Sequence, residues 1–246
     1  MKLGILAAGT SPPELIDKHG SYAQMMMQLL DKTASGYSFD VFEVHEGVFP
    51  ADISVCDGWL ISGSKFNAYD REPWMLRLRE LIKAIYRARQ PLLGICFGHQ
   101  IIAATFGAKL NKFAGGWGVG LHQYTIKAGF DFIPAGTQSV RLNAIHQDQV
   151  LSKPANAEVF ASSPFCPFAG LVYGETILSM QAHPEFSGQF EADLLRLRAG
   201  TSVPAGVAQQ GLDSLAGGKA AQQREVAQWI ASFLNGHRVV RPCNAF

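Results

Sequence analysis

Short apolar runs alternate with longer amphipathic segments over the first 108 residues. Four of the runs are predicted to be buried strands: 2–8, 39–44, 57–63 and 91–95. Three longer segments have the composition or spacing of helices: 22–32, 74–88 and 99–108. Strands and helices that alternate in this way favour a parallel sheet covered by helices on both faces.

The pattern changes after Gly115, where three strand-like runs follow one another with no helix between them: 118–126, 139–145 and 157–163. We expect these runs to form a small antiparallel sheet inserted into the α/β body. A buried strand and a helix are predicted over 175–186 and 187–199, and a last amphipathic helix ends at Gly236. Residues 200–219 are rich in Gly, Ala and Ser, which predicts a flexible loop.

The length of the chain bounds its organisation. A chain of 246 residues, 48% of them hydrophobic, is long enough for one substantial core and short for two. We therefore predict a single domain over 1–246. Its fold class is α/β, with three layers: a doubly wound, mostly parallel sheet, helices on both faces and a small inserted antiparallel sheet.

Charge and apolar patterning exclude several classes of partner. The 21 Lys and Arg residues nearly balance the 20 Asp and Glu residues, and no basic run interleaves with aromatic residues, so no nucleic-acid partner is expected. No apolar stretch approaches the roughly 20 residues that span a bilayer, so no membrane partner is expected and the default location is cytoplasmic. The four cysteines form no CxxC pair, which predicts neither a metal site nor a disulfide framework. The glycine spacing of 211–219 does not match a phosphate-binding loop, and no cofactor is predicted.

The segment LLGICFGHQ, residues 92–100, carries the first chemical signal. Cys96 lies between Gly94 and Gly98, after a strand and before a helix, as a nucleophile does on a tight strand-to-helix turn. The positive end of the following helix favours the reactive thiolate. The N–H group of Phe97 points to where an oxyanion forms when a carbonyl group is attacked. We therefore predict that Cys96 is a nucleophile.

A cysteine nucleophile needs a base, and seven histidines are candidates. The segment QAHPEF, residues 181–186, favours His183, which follows a predicted parallel strand at the sheet edge where α/β folds gather their catalytic groups. Glu185 comes two residues later and faces the same way in extended backbone. We predict that its carboxylate orients the imidazole and stabilises its charged form.

The remaining cysteines and most of the remaining histidines are assigned structural roles. Cys56, Cys166 and Cys243 have no base or elbow nearby and are predicted to be inert thiols. His99 follows the elbow directly, and we predict a packing or capping role for it. No motif surrounds four further histidines: His19, His45, His122 and His237.

Five short motifs lie in a fixed order along the chain: LISGS (60–64), GICFGHQ (94–100), WGVG (117–120), HQDQV (146–150) and QAHPEF (181–186). Together they resemble the class I, triad-type glutamine amidotransferases. The resemblance implies a flavodoxin-like sheet of the kind already predicted. Within the family, the chain looks most similar to stand-alone members related to the amidotransferase domain of GMP synthetase and to γ-glutamyl peptidases.

The resemblance implies a role for each matching residue. Cys96 is the nucleophile, His183 is the general base and acid, and Glu185 orients His183. The backbone N–H groups of Ser64 and Phe97 form the oxyanion hole. Substrate-binding residues are implied at four positions: Gly63, Gln100, Gln147 and Asp148. The implied substrate is glutamine or another γ-glutamyl small molecule, which is cleaved through a γ-glutamyl thioester.

The first motif departs from the pattern of many relatives, which have Gly-Gly-Pro or Asn-Gly-Pro at this point. This chain has Gly63, Ser64 and Lys65 instead. A side chain at position 64 and a cation at position 65 alter the shape of the pocket or attract a second carboxylate.

Three functions remain open. The first is an enzyme that hydrolyses a γ-glutamyl amide bond by itself. The second is a glutaminase subunit that becomes active when a separate synthase subunit docks and receives its ammonia. The third is a non-catalytic binding or regulatory protein, which the intact set of Cys96, His183 and Glu185 argues against.

Overall fold

The computed structural model of the protein describes residues 1–33 and 36–236. Its strands are β1 (Lys2–Leu6), β2 (Ser38–Phe42), β3 (Gly58–Ile61), β4 (Leu92–Ile95), β5 (Lys109–Lys112), β6 (Gly118–Ile126), β7 (Ser139–His146), β8 (Asp148–Ser152), β9 (Ala157–Ser162), β10 (Gly170–Tyr173) and β11 (Ile177–Met180). Its α-helices are α1 (Pro13–His19), α2 (Tyr22–Asp31), α3 (Pro73–Arg87), α4 (Phe97–Thr105), α5 (Gly188–Arg198), α6 (Ala205–Ala216) and α7 (Gln223–Asn235). Two short 3-10 helices cover Val44–Glu46 and Ile53–Val55.

The main sheet has a parallel half and an antiparallel half. Its strand order is β2-β1-β3-β4-β11-β10-β9-β6-β7 over the described residues. Neighbouring strands from β2 to β11 in this order pair in parallel. From β11 to β7 the pairing is antiparallel. The α/β fold class is confirmed, and the antiparallel part is larger than expected because its strands continue the main sheet. The small separate sheet pairs β5 with β8 instead.

Side chains that alternate along β1 show how the sheet is covered on both faces. Leu3 and Ile5 pack in one buried cluster with residues of α2 and α7. Leu6 packs in a second cluster with residues of α3 and α4. Because the side-chain period of a strand is two, one apolar run supplies both cores. The predicted three-layer arrangement is therefore present.

Local sequence signals fix where several helices begin. In α2, the hydroxyl of Ser21 accepts the N–H of Gln24 while the Gln24 side chain accepts the N–H of Ser21, which is a complete capping box. Helix α3 begins at Pro73, as expected from its fixed φ. Helix α5 begins after Ser187, whose hydroxyl accepts the N–H of Phe190 at 3.1 Å.

The flexible loop predicted over 200–219 is corrected by the structure, because residues Ala205–Ala216 form helix α6. Composition suggested a loop, but the small residues serve close packing. A Cβ atom on Gly211 would lie 2.8 Å from Leu195 and 3.0 Å from Val119, so only glycine allows α6 to approach β6 and α5 this closely. Ala208 is fully buried beside them.

Several elements were not predicted: α1, β5, β8 and β10. They are short, and sequence periodicity is weak over such lengths. No helix among the described residues is long and apolar enough to cross a membrane.

Candidate active site

Three chain segments meet at the carboxyl edge of the parallel half-sheet. Gly63 follows β3, Cys96 follows β4 and His183 follows β11, and these three strands are neighbours in the sheet. A Cβ atom on Gly63 would lie 3.0 Å from Cε1 of His183 and 3.8 Å from Cβ of Cys96. The absence of a side chain at Gly63 therefore lets all three segments come into contact.

The backbone of Cys96 adopts a strained conformation at the elbow. Its φ is 51° and its ψ is −101°, in a region that residues with a Cβ atom rarely adopt. The elbow is also tightly packed: a Cβ atom on Gly98 would lie 2.4 Å from the carbonyl oxygen of Ile61, and one on Gly94 would lie 2.8 Å from the backbone of Gly98. Strand β3, strand β4 and helix α4 thus hold Cys96 in place at the start of the helix.

His183 forms a close pair with Glu185. Its Nδ1 atom lies 2.7 Å from Oε1 of Glu185, and both side chains are at least nine-tenths buried. The imidazole stacks on the ring of Phe186, with 3.9 Å between ring centroids and 5° between the planes. The carboxylate and the aromatic ring together fix the orientation of the imidazole.

Electrostatics favour the protonated form of His183. Burial alone lowers the pKa of the imidazole, but the charges of Glu185 and Cys96 and the hydrogen bonds to both outweigh burial and raise this pKa well above its usual value. An imidazolium beside a cysteine stabilises the thiolate. His183 is therefore held as an imidazolium beside Cys96.

The loop that carries His183 is anchored by two amide side chains from other elements. The His183 N–H donates to the carbonyl of Asn143 at 2.9 Å, and Nδ2 of Asn143 donates to the carbonyl of Phe186 at 2.7 Å. Nε2 of Gln223, at the start of α7, donates to the carbonyls of Pro184 and Phe186 at 2.8 and 2.9 Å. These bonds satisfy the buried backbone of the loop and hold its geometry.

The predicted oxyanion donors lie on the two segments that flank Cys96. Phe97 is the first residue of α4, where N–H groups have no acceptor within the helix. The hydroxyl of Ser64 donates to the carbonyl of Ala8 at 2.7 Å and accepts the N–H of Phe66 at 3.2 Å. The Ser64 side chain therefore braces its own loop.

A family model described as "Glutamine amidotransferase class-I" matches residues 14–198, which include the segments that carry Ser64, Cys96 and His183. The chain belongs to the class I glutamine amidotransferases. Gamma-glutamyl peptidase 3 of Arabidopsis thaliana is 31% identical over 194 residues, which are 74% of this chain and 76% of that protein. The glutamine-hydrolyzing GMP synthase of Porphyromonas gingivalis is 32% identical over 138 residues, which are 55% of this chain and 26% of the synthase.

A solved structure supports the amidotransferase fold. The crystal structure of a glutamine amidotransferase from Methylobacillus flagellatus aligns with a TM-score of 0.73 over 100% of this chain and 98% of that one. The sequences are 17% identical, so this likeness concerns the fold.

In the candidate site, the side-chain amide of Gln100 forms hydrogen bonds to other residues of the protein. Its Nε2 donates to the carbonyl of Asp148 at 2.9 Å and to Oε1 of Gln181 at 3.1 Å. Nε2 of Gln181 in turn donates to Sγ of Cys96 at 3.5 Å. Gln100 thus connects the segment at 147–148, predicted to bind substrate, to Cys96 through Gln181.

Two cavities lie near the amidotransferase site. The smaller, about 380 Å³, is lined by Lys65, Gln147 and Asp148 and so adjoins the segments predicted to bind substrate. The larger, about 1020 Å³, lies between α1, α2 and the start of α7 and contacts Glu185. Neither cavity is lined by Cys96 or His183, and the smaller one is the candidate substrate pocket because Gln147 and Asp148, both predicted to bind substrate, line it.

The other cysteines and His99 have the surroundings of structural residues. Burial raises the pKa of Cys56 and raises that of Cys166 to about 12, so both remain neutral thiols at physiological pH. His99 is fully buried, with Nδ1 2.9 Å from Oγ of Ser179, as its predicted packing role requires. Cys243 and His237 lie outside the described residues.

Sequence reasoning gave no role to two buried residues beside the triad positions. Gln181 lies two residues before His183 in QAHPEF, a spacing that was available in the sequence, although β11 ends at Met180 and residues 181–182 and 184–185 form bends and a turn. Glu191 had no such signal. It is fully buried, one oxygen accepts the N–H of Gly120 at 3.3 Å, and burial raises its pKa to about 8.

No group of three or more His, Cys, Asp and Glu residues within 1–33 and 36–236 is arranged to hold a metal ion.

Proposed function

We propose that this protein hydrolyses the γ-glutamyl amide bond of glutamine or of another γ-glutamyl compound through a thioester on Cys96. One observation carries the proposal: a strained elbow cysteine, with φ of 51°, lies beside a buried imidazole whose Nδ1 is 2.7 Å from a carboxylate oxygen. A nucleophile, a base and an orienting group in this order are what acyl transfer to cysteine requires. Membership of the class I amidotransferases supports the same reaction class.

In the first half-reaction, the thiolate of Cys96 attacks the carbon of the γ-amide. Protonated His183 gives its proton to the leaving nitrogen, the C–N bond breaks, and ammonia or an amine departs. A γ-glutamyl thioester remains on Cys96. Glu185 keeps the imidazole oriented, with Nδ1 as the bonded atom, so that Nε2 serves the reaction.

In the second half-reaction, water hydrolyses the thioester. Neutral His183 takes a proton from the water, whose oxygen attacks the thioester carbon. The C–S bond breaks, glutamate leaves, and the thiolate of Cys96 and protonated His183 are restored. The released γ-carboxylic acid loses its own proton to solvent.

Both half-reactions pass through a tetrahedral oxyanion, and two backbone N–H groups are proposed to stabilise it. The Phe97 N–H lies at the positive end of α4, which adds the helix dipole to the hydrogen bond. The Ser64 N–H directly follows Gly63 in the chain, and Gly63 packs closely against both Cys96 and His183. The hydroxyl of Ser64, bonded to Ala8 at 2.7 Å, keeps this loop in position.

A second candidate function is a glutaminase subunit that a separate synthase activates and from which it receives ammonia. Its support is the 32% identity to part of a GMP synthase, a protein whose name joins glutamine hydrolysis to synthesis. The chemistry on Cys96 is the same in both candidates. They differ in whether turnover requires the partner.

Mass spectrometry of the intact protein tests the proposal. Purified protein is mixed with glutamine and with a set of γ-glutamyl peptides and amines, quenched in acid and compared with Cys96→Ala. We expect a mass increase of one γ-glutamyl group and release of glutamate from the unmodified chain, and neither from the variant. Turnover without any added protein favours the first candidate over the synthase-dependent subunit.

A matched cysteine variant controls for loss of folding. Cys56→Ala removes a buried thiol that lies on another part of the fold, and it should retain turnover and the adduct. Activity that survives in Cys96→Ala, or an adduct on a different cysteine, refutes the proposed mechanism.

A further inference from the structure

The cavity of about 380 Å³ beside the proposed catalytic site has an unusual charge balance. Among the residues that line it are three cations, Lys65, Lys112 and Arg198, and one carboxylate, that of Asp148. Lys65 directly follows Ser64 of the oxyanion loop, and the carbonyl of Asp148 accepts a hydrogen bond from Gln100. The cavity therefore adjoins Ser64, the proposed oxyanion donor, and the segment at 147–148 that is predicted to bind substrate.

These three cations have no carboxylate partner within 4 Å in the part of the chain that the structure describes. Nζ of Lys65 lies 5.7 Å from the ring centroid of Phe66, and Arg198 donates a long hydrogen bond of 3.4 Å to Ser202. Burial raises the pKa of Asp148, and Lys112 is near enough to act in the opposite direction. The cavity thus carries positive charge that its own residues do not neutralise.

The charges of the substrate can be matched to those of the cavity. A γ-glutamyl head group has one ammonium, which suits Asp148, and one carboxylate, which suits one cation. Two cations then remain. Glutamine and γ-glutamyl amines supply no further negative group, whereas a γ-glutamyl amino acid or peptide has a second carboxylate on the side of the leaving amine. Complementary charge favours the second kind of substrate.

We infer that Lys65, Lys112 and Arg198 select γ-glutamyl compounds whose leaving amine carries a carboxylate, namely γ-glutamyl amino acids and peptides. The inference rests on the proposed hydrolysis of γ-glutamyl bonds. It assigns specificity to side chains that take no part in bond breaking. Lys65, at the departure from the family's usual Gly-Pro motif, is the cation nearest in sequence to the oxyanion loop.

A pair of substrates that differ only in charge tests the inference. γ-Glutamylglycine and γ-glutamylglycinamide have the same scissile bond, but only the first has a carboxylate on its leaving group. We expect the unmodified protein to prefer γ-glutamylglycine about fivefold or more in kcat/KM at low salt, which is the effect of a partly exposed ion pair. Salt should weaken the preference, because it screens such pairs.

Variants of the three cations locate the source of the preference. At least one of Lys65→Gln, Lys112→Gln and Arg198→Gln should raise KM for γ-glutamylglycine and bring the ratio of the two substrates toward one. Lys109→Gln is the matched control. Lys109 is an exposed lysine on the same strand as Lys112 but outside the cavity, and its loss should leave the ratio unchanged.

The outcomes separate this inference from the function on which it rests. If no γ-glutamyl compound is cleaved, the proposed hydrolysis fails, and the selectivity fails with it. If both substrates are cleaved equally well, the hydrolysis stands and the selectivity is refuted. A preference that persists unchanged in all three cation variants refutes the assignment to these residues.

Discussion

Nδ1 of His183 lies 2.7 Å from Oε1 of Glu185, and the two side chains are only 4% and 2% exposed. A buried pair at this distance fixes which imidazole nitrogen faces the carboxylate and therefore which one faces Cys96. The charge of Glu185 also contributes to the raised pKa of His183, against the effect of burial. This one contact thus orients the proposed base and contributes to its protonation.

The variant Glu185→Gln tests that dependence. The amide oxygen still accepts a hydrogen bond from the imidazole, but the negative charge is lost, so the pKa of His183 should fall. We expect kcat to fall by roughly tenfold to a hundredfold without reaching zero, because Glu185 does not itself transfer a proton.

The rate of Cys96 alkylation by iodoacetamide, measured from pH 5 to 9, reports the same change without a substrate. In Glu185→Gln, alkylation near pH 7 should slow and rise only at higher pH, because less imidazolium is present to stabilise the thiolate. An unchanged pH profile in a folded variant contradicts the role given to Glu185.

Gln181 is expected to support the nucleophile directly. It is fully buried, donates to Sγ of Cys96 at 3.5 Å and accepts from Gln100 at 3.1 Å. Gln181→Leu removes both contacts and leaves an N–H of Gln100 without its partner, which costs about 1–3 kcal/mol of stability. Steady-state kinetics should show kcat/KM reduced by about tenfold, since a hydrogen bond to a charged acceptor is lost. Full activity, with unfolding by urea unchanged, shows that neither contact matters.

Glu191 should make the stability of the protein depend on pH. Burial raises its pKa from 4.5 in the unfolded chain to about 8 in the folded protein. The folded state therefore binds more protons than the unfolded state between these values, and stability from this residue falls as pH rises through that window. Glu191→Gln keeps the shape but cannot ionise. Between pH 5 and pH 8 the unmodified protein should lose about 3 kcal/mol more stability than Glu191→Gln does.

Urea unfolding at the two pH values measures this difference, and Glu175→Gln serves as the control because Glu175 is exposed. The control should show little change with pH relative to the unmodified protein. If the stability of the unmodified protein and that of Glu191→Gln change in parallel with pH, the carboxyl of Glu191 does not have a raised pKa.

The elbow should not tolerate a side chain at Gly98. Replacing a helical glycine by alanine normally stabilises a helix by about 0.5–1 kcal/mol. At Gly98, however, the new Cβ atom would lie 2.4 Å from the backbone oxygen of Ile61, so β3 or α4 has to move. We expect Gly98→Ala to destabilise the protein by about 1–3 kcal/mol. Gly206→Ala, where no atom lies within 4 Å of the new Cβ, should follow the normal rule. If Gly98→Ala and Gly206→Ala shift the melting temperature in the same direction, the elbow is not tightly packed.

Local sequence was sufficient for the elements whose pattern is strong. The helix predicted over 74–88 is present as Pro73–Arg87, and the strand predicted over 118–126 is present as Gly118–Ile126. Helix α6 was missed, because its glycines and serine favour loops and outweighed the helix propensity of its alanines. The close contact of α6 with β6 and α5, which requires a glycine at position 211, appears only in the tertiary structure.

In the candidate site, too, some features follow from local sequence and others only from the tertiary structure. The sequence by itself determined the elbow at Cys96 and the His183–Glu185 pair, because glycine spacing and period-two alternation are properties of neighbouring residues. Tertiary structure alone decided that Gln181 donates to Sγ, that Glu191 is sealed beneath β6, and that Lys65, Lys112 and Arg198 line one cavity. These relationships join residues far apart in the chain, and burial, which sets their electrostatics, exists only once the sheet and its helices have packed.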